Sequence, residues 1–140
     1  MLDLSKILKF VYLLNKFQQV RRVIRVPGED RWENDTEHSY NLTMLAWYII
    51  QSHDLKLDTD KILQYALVHD FVEVHAGDTY IFTSNELEKK SKILRENEAA
   101  NKLQKDFPDF KDLHNLIHQY EKSLIKKVAL SMPLIKLNPY

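Results

Sequence analysis

The sequence predicts an all-α bundle of about five helices, and three observations carry that expectation. Glycine and proline are scarce, with 2 and 4 in 140 residues, so few positions are marked for turns. Apolar residues recur at i, i+3, i+4 and i+7 over long segments, the period of helices with one buried face. A hydrophobic fraction of 44% in a chain of 16.7 kDa suffices for one core, and the length is too short for two domains.

Taken in order, Leu4, Ile7, Leu8, Val11, Leu14 and Phe17 fall on one face of a first helix ending near Val20. The next segment, 21–32, holds four arginines, Pro27 and Gly28, and reads as an irregular basic loop. Asn34 or Asp35 caps a second helix, with Glu37 reaching back to the freed amides, and Leu42, Leu45, Ala46 and Ile49 form its buried stripe. Asp58 and Asp60 open a third helix. On its inner face Ile62, Tyr65, Ala66, His69 and Glu73 align before Gly77 stops it. A capping box at Thr83 and Glu86 starts a fourth, which turns Ile93, Ala100, Leu103 and Phe107 inward until Pro108. The fifth runs from about Asp109 through Phe110, Leu113, Ile117 and Tyr120, and its pattern does not carry clearly past Lys122.

Composition narrows the functional classes. Basic and acidic residues balance at 20 each, which removes any overall electrostatic drive toward nucleic acid or an anionic membrane. The four-arginine segment is also a small footprint for nucleic acid. Charged residues interrupt the first helix, so it suits neither a signal peptide nor a membrane span, and a soluble cytoplasmic protein is expected. Without cysteine, disulfides and thiolate metal sites are excluded, leaving His, Asp and Glu as the strong ligands.

The segment 66–73 sets His69 beside Asp70, with Glu73 one turn later. Neighbours on a helix point about 100° apart, so both reach one metal only if it lies at the helix edge and a second element helps hold it. That element carries His38 in the first helical turn, where the positive end of the helix dipole favours the neutral imidazole a metal requires. Each residue also has a plainer reading. A lone helical histidine is more often a hydrogen-bonded structural residue, and a His-Asp pair can be a histidine with a carboxylate partner. Glu73 fits a surface acid, a ligand or a group that hydrogen-bonds bound water. Asp78 either caps a turn or touches substrate. His53, His75, His114 and His118 read as structural or solvent-facing.

The segments 31–39 (RWENDTEHS) and 66–80 (ALVHDFVEVHAGDTY) resemble, in order and spacing, the HD-domain metal-dependent phosphohydrolases of the 5′-deoxynucleotidase type. The resemblance covers roughly residues 5–122 and implies an HD-domain helical bundle acting on nucleoside 5′-monophosphates, deoxynucleotides above all. It implies a divalent transition metal (Mn, Co, Fe, Ni or Zn) held by His38, His69, Asp70 and a distant Asp. Glu73 and Asp78 then assist catalysis. Arg22 is the best match for a phosphate-contacting base, with Arg21, Arg25 and Arg31 as rivals. The family also implies a homodimer. The competing readings are a catalytically impaired or metal-free HD-fold binding or regulatory protein, and a nucleic-acid-binding helical domain.

Residues 1–122 thus form the HD-type domain, with 123–140 as an atypical tail. The family pattern closes on a helix with a segment similar to Tyr-Ala-Leu-Asp-Lys, whose Asp completes the metal site. Here no acid follows Glu121, and Ser131-Met132-Pro133-Leu134-Ile135-Lys136 stands at the expected distance. Those six residues can be encoded AGT ATG CCC TTG ATA AAA. From its third base that string reads Tyr-Ala-Leu-Asp-Lys, so a frameshift near Lys122 is expected. The tail adds three lysines and no acid, so residues 1–122 carry 17 bases against 20 acids.

Overall fold

In the computed structural model, which describes residues 1–78 and 85–122, Asp3 caps helix α1 (Leu4–Gln18) by accepting from the Lys6 amide at 3.2 Å. The chain then forms a β-hairpin where a loop was expected: β1 (Arg21–Arg25) pairs antiparallel with β2 (Trp32–Asn34). Two features account for the strands. Exposure alternates along β1 around the β-branched pair Val23-Ile24. Pro27 and Gly28 occupy the centre of a turn closed by the Glu29 amide on the Val26 carbonyl at 3.1 Å, and Gly28 takes φ +80° there.

Helix α2 (Asp35–Ser52) opens on a reciprocal cap. Asn34 accepts from the Glu37 amide at 2.9 Å, and Glu37 accepts from the Asn34 amide at 3.0 Å. The predicted third helix is two pieces, α3 (Thr59–Val68) and α4 (Glu73–Ala76). Between and beyond them the backbone tightens to i→i−3 hydrogen bonds: Phe71 to Val68, Glu73 to Asp70, Val74 to Phe71 and His75 to Val72. Phe71, Val72, Glu73 and Val74 are all buried, so this stretch has no solvent face to keep, and an even α-helix does not suit it. Gly77, at φ +77°, ends it as expected.

Helix α5 (Glu86–Asp106) is capped by Asn85, and the expected cap at Thr83 lies outside the described residues. Helix α6 (Lys111–Lys122) follows Pro108, and every expectation for residues 123–140 also lies outside the described residues. Helix α2 packs on α3, α4 on α5, and α3 on α6. The core joins Leu13 and Phe17 of α1 to Phe71, Val72, Val74, Ala99, Leu103, Leu113 and Ile117. Phe71 meets Phe17 at 5.1 Å between ring centroids. The architecture is the all-α bundle anticipated, with one two-stranded hairpin added.

Several side chains face elsewhere than the periodicity implied. On α1 the core face is Leu13 and Phe17 with Phe10 partly buried, while Leu4, Leu8 and Val11 are exposed. Leu45 and Ile93 are exposed as well. A helix with apolar residues on more than one face does not reveal which face the neighbours cover. Among the described residues no helix is long and apolar enough to cross a membrane.

Candidate metal centre

Three elements deliver the polar cluster. The cap on α2 sets His38 in its first turn, α3 ends at His69, and the tightened turn beyond carries Asp70. His38, His69 and Asp70 each offer a ligand atom, all within 4.8 Å of one another. Asp70 Oδ2 lies 2.9 Å from His69 Nε2 and 3.8 Å from His38 Nε2. A contact of 2.8 Å joins His69 Nδ1 to the Ala66 carbonyl, and a carbonyl can only accept. Nδ1 therefore carries a proton, and Nε2 is the nitrogen that faces the Asp70 carboxylate. The tightened turn is what allows adjacent His69 and Asp70 to share one point.

Arg22 enters from β1 and bridges the acids, with Nη1 donating to Asp35 Oδ1 at 3.0 Å and to Asp70 Oδ2 at 2.8 Å. Arg21, Arg25 and Arg31, the rivals for that place, do not reach the site. Strand alternation turns Arg21 and Arg25 outward, and Arg25 pairs with Asp30 and stacks over Trp32 at 4.6 Å. Arg31 pairs with Glu29 and, at 2.7 Å, with Glu37.

Glu73 is 3% exposed and sits with Asp35 and Asp70 in a second carboxylate cluster. Asp78 is at the rim, where its Oδ2 accepts from the Val23 amide at 3.3 Å and so ties the hairpin to the end of α4.

Burial and opposing charges sort these groups. Burial and the neighbouring Asp70 and Asp35 push the Glu73 carboxyl up to about 11, so it holds a proton. Burial raises Asp35 too, against the pull of its hydrogen bonds to Glu73 and Arg22. Among the described residues Oδ2 of Asp35 and Oε2 of Glu73 find no N–H or hydroxyl donor, and the proton kept on Glu73 supplies one. Burial opposes charge on Asp70, but His69, Arg22 and His38 outweigh it and hold Asp70 ionised. Against the same burial, Asp70 and the Ala66 carbonyl raise His69.

Two buried acids in this cluster escaped sequence reading. Glu33 is 7% exposed and Asp35 is fully buried, with Glu33 Oε2 lying 3.3 Å from His38 Nδ1 and 3.6 Å from Arg22 Nε. The available signal was spacing, since Asp35 stands three residues before His38 and four before the buried Ser39 on the same helix face. An acid in a first turn is ordinarily read as a solvated dipole partner, which hides it.

A family model described as the HD domain matches residues 14–132. The 5′-deoxynucleotidase HDDC2 of Mus musculus is 29% identical over 118 residues, covering 82% of this chain and 57% of the relative. Its Homo sapiens counterpart is 30% identical over 118 residues, covering 82% and 55%. The solved structure of a predicted metal-dependent phosphohydrolase from Magnetospirillum magnetotacticum MS-1 superposes with a TM-score of 0.70 at 29% identity, covering 84% of this chain and 59% of that one. The chain thus spans little more than half the length of the curated relatives it matches.

Proposed function

Because the chain belongs to the HD-domain family, we propose that it is a metal-dependent phosphohydrolase that releases phosphate from nucleoside 5′-monophosphates, with deoxynucleotides preferred. One observation carries this reading: His38 at the start of α2 and, far along the sequence, His69 and Asp70 at the end of α3 and in the turn beyond present ligand atoms within 4.8 Å of one another beside the buried Arg22. Two imidazoles and one carboxylate suit a divalent transition metal with positions left open, as catalytic rather than structural sites have. The Nδ1 contact with the Ala66 carbonyl fixes the His69 ring with Nε2 facing the cluster, which supports that role. The names of the similar proteins, a 5′-deoxynucleotidase and a metal-dependent phosphohydrolase, support the reaction class.

When bound, the cation supplies Lewis acidity that acidifies water and polarises a phosphoryl oxygen. Arg22 adds a fixed positive charge for the phosphate, held in place by Asp35 and Asp70. Glu73 and Asp78 handle protons at the carboxylate side of the cluster. The place where the family carries its final Asp falls in the tail, which holds no acid and lies outside the described residues.

A metal-free binding or regulatory protein is the second reading. It is favoured by the Arg22–Asp70 pair, which neutralises the same carboxylate oxygen without any cation. Purified chain loaded with Mn, Co, Fe, Ni or Zn and assayed for phosphate release on a deoxynucleotide and ribonucleotide panel separates the two. The enzyme reading expects release from deoxynucleoside 5′-monophosphates and its loss in His69→Ala. Metal-loaded protein inert across the panel selects the catalytically impaired or regulatory reading, and a chain with the Tyr-Ala-Leu-Asp-Lys segment restored that is still inert selects the regulatory one.

A further inference from the structure

Glu33 is buried, yet among the described residues its Oε2 makes no hydrogen bond that meets ordinary geometry, and the buried Arg22 Nε is likewise unpartnered. A buried carboxylate oxygen and a buried guanidinium N–H left unpaired are each costly, so their surroundings identify the partner they await. Two nitrogens lie within reach of that oxygen, His38 Nδ1 at 3.3 Å and Arg22 Nε at 3.6 Å. A carboxylate accepts through several lone pairs, so it can serve both donors at once.

We propose that Glu33 is a positioning residue: its carboxylate holds His38 with Nδ1 protonated and Nε2 turned toward Asp70 and the metal, and anchors Arg22 from the opposite side. This rests on the metal-dependent reading above. His69 needs no such partner, because the Ala66 carbonyl already fixes its ring. His38 has no comparable backbone acceptor among its described contacts, so Glu33 is what sets its tautomer. Loading Nε2 makes Nδ1–H a stronger donor, which draws the 3.3 Å contact into a full hydrogen bond. The same oxygen meets the Arg22 Nε edge while Nη1 is taken by Asp35 and Asp70. Glu33 thereby couples the candidate metal ligand His38 to the candidate phosphate contact Arg22 without touching either metal or substrate.

The test uses the full chain in two measurements. Long-range ¹H–¹⁵N spectra of metal-free, ¹⁵N-histidine-labelled protein at pH 8 report the His38 tautomer, and calorimetric titration with Co(II) reports affinity. Glu33→Ala is expected to shift His38 toward the Nε2-protonated form and to weaken Co(II) binding about 10–100-fold. Glu33→Gln, whose amide oxygen still accepts from Nδ1–H, is expected to keep the tautomer and stay within about threefold of the unaltered chain. Should Glu33→Ala fail to fold, Glu33→Asp, one methylene shorter, takes its place with the same two expectations. An unchanged tautomer in Glu33→Ala, or in Glu33→Asp where it takes that place, overturns the proposal, whether or not affinity falls, since lost affinity alone would mark a structural acid. If the unaltered chain takes up no Co(II), the metal-dependent reading fails, and the tautomer still decides Glu33 by itself.

Discussion

A third ionised carboxylate beside Asp35 and Asp70 would stand uncompensated, because Arg22 alone brings a guanidinium into their cluster. Glu73 therefore keeps its proton. Its folded value, about 11, lies above the ordinary 4.5. The folded state thus binds a proton that the unfolded chain has lost above about pH 4.5, so stability falls as pH rises through that window. His69, raised in the same sense, adds to the decline, while the lowered Asp70 contributes only at acid pH. Thermal melts in EDTA should show the unaltered chain losing at least about 3 °C between pH 5 and pH 9, with Glu73→Gln flatter and more stable at pH 9. A melting temperature that climbs with pH would contradict the protonated assignment. At this scale His38, His69, Asp70 and Glu73 were legible because motif spacing names them. Glu33 and Asp35 were not, since nothing in a sequence distinguishes a buried acid from the solvated acid that normally opens a helix.

The cap at the start of α2 controls the site through geometry. Asn34 and Glu37 exchange hydrogen bonds across the first turn, and Arg31 holds the other Glu37 oxygen, so the entry angle of the helix and the place of His38 are set together. Asn34→Ala should cost about 1 kcal/mol. Measured by urea denaturation, that loss should come with weaker metal binding, whereas an equal loss from Asn85→Ala on α5 should leave metal binding unchanged, because α5 carries no candidate ligand. Equal effects of the two caps on metal affinity would refute the coupling. The α2 cap was legible from its residues. The break between α3 and α4 was not, because the apolar and polar residues at 62–73 fit a single helical face, and only burial on all sides of 71–74 forces the tighter turn. The hairpin was missed for a related reason. Five residues of alternating exposure between an arginine-rich start and a Pro-Gly turn resemble a loop until the partner strand is in place.

Across the molecule, the same cluster ties the hairpin, α2 and α3 to one point, while the apolar core lies between α1, α4, α5 and α6. The helical class was evident from periodicity and scarce glycine, because helices are local and their period survives without neighbours. Which faces meet is a property of the assembled bundle, and the exposed Leu8 and Val11 on α1 show where periodicity alone misled. A cation at His38, His69 and Asp70 would bind the folded chain and not the unfolded one, in which His38 and His69 stand 31 positions apart along the chain. Free metal at about a hundredfold its dissociation constant then stabilises the fold by about 2.7 kcal/mol, a rise in melting temperature of roughly 8 °C for a chain of this size. Calorimetry across a Co(II) or Mn(II) series should show that rise growing with the logarithm of free metal. His69→Ala should remove it while Lys89→Ala, on α5 and outside the cluster, keeps it. A rise that persists in His69→Ala would place the cation elsewhere, because Asp70 and His38 alone leave a weak, open pair of ligands where mass action has little to act on.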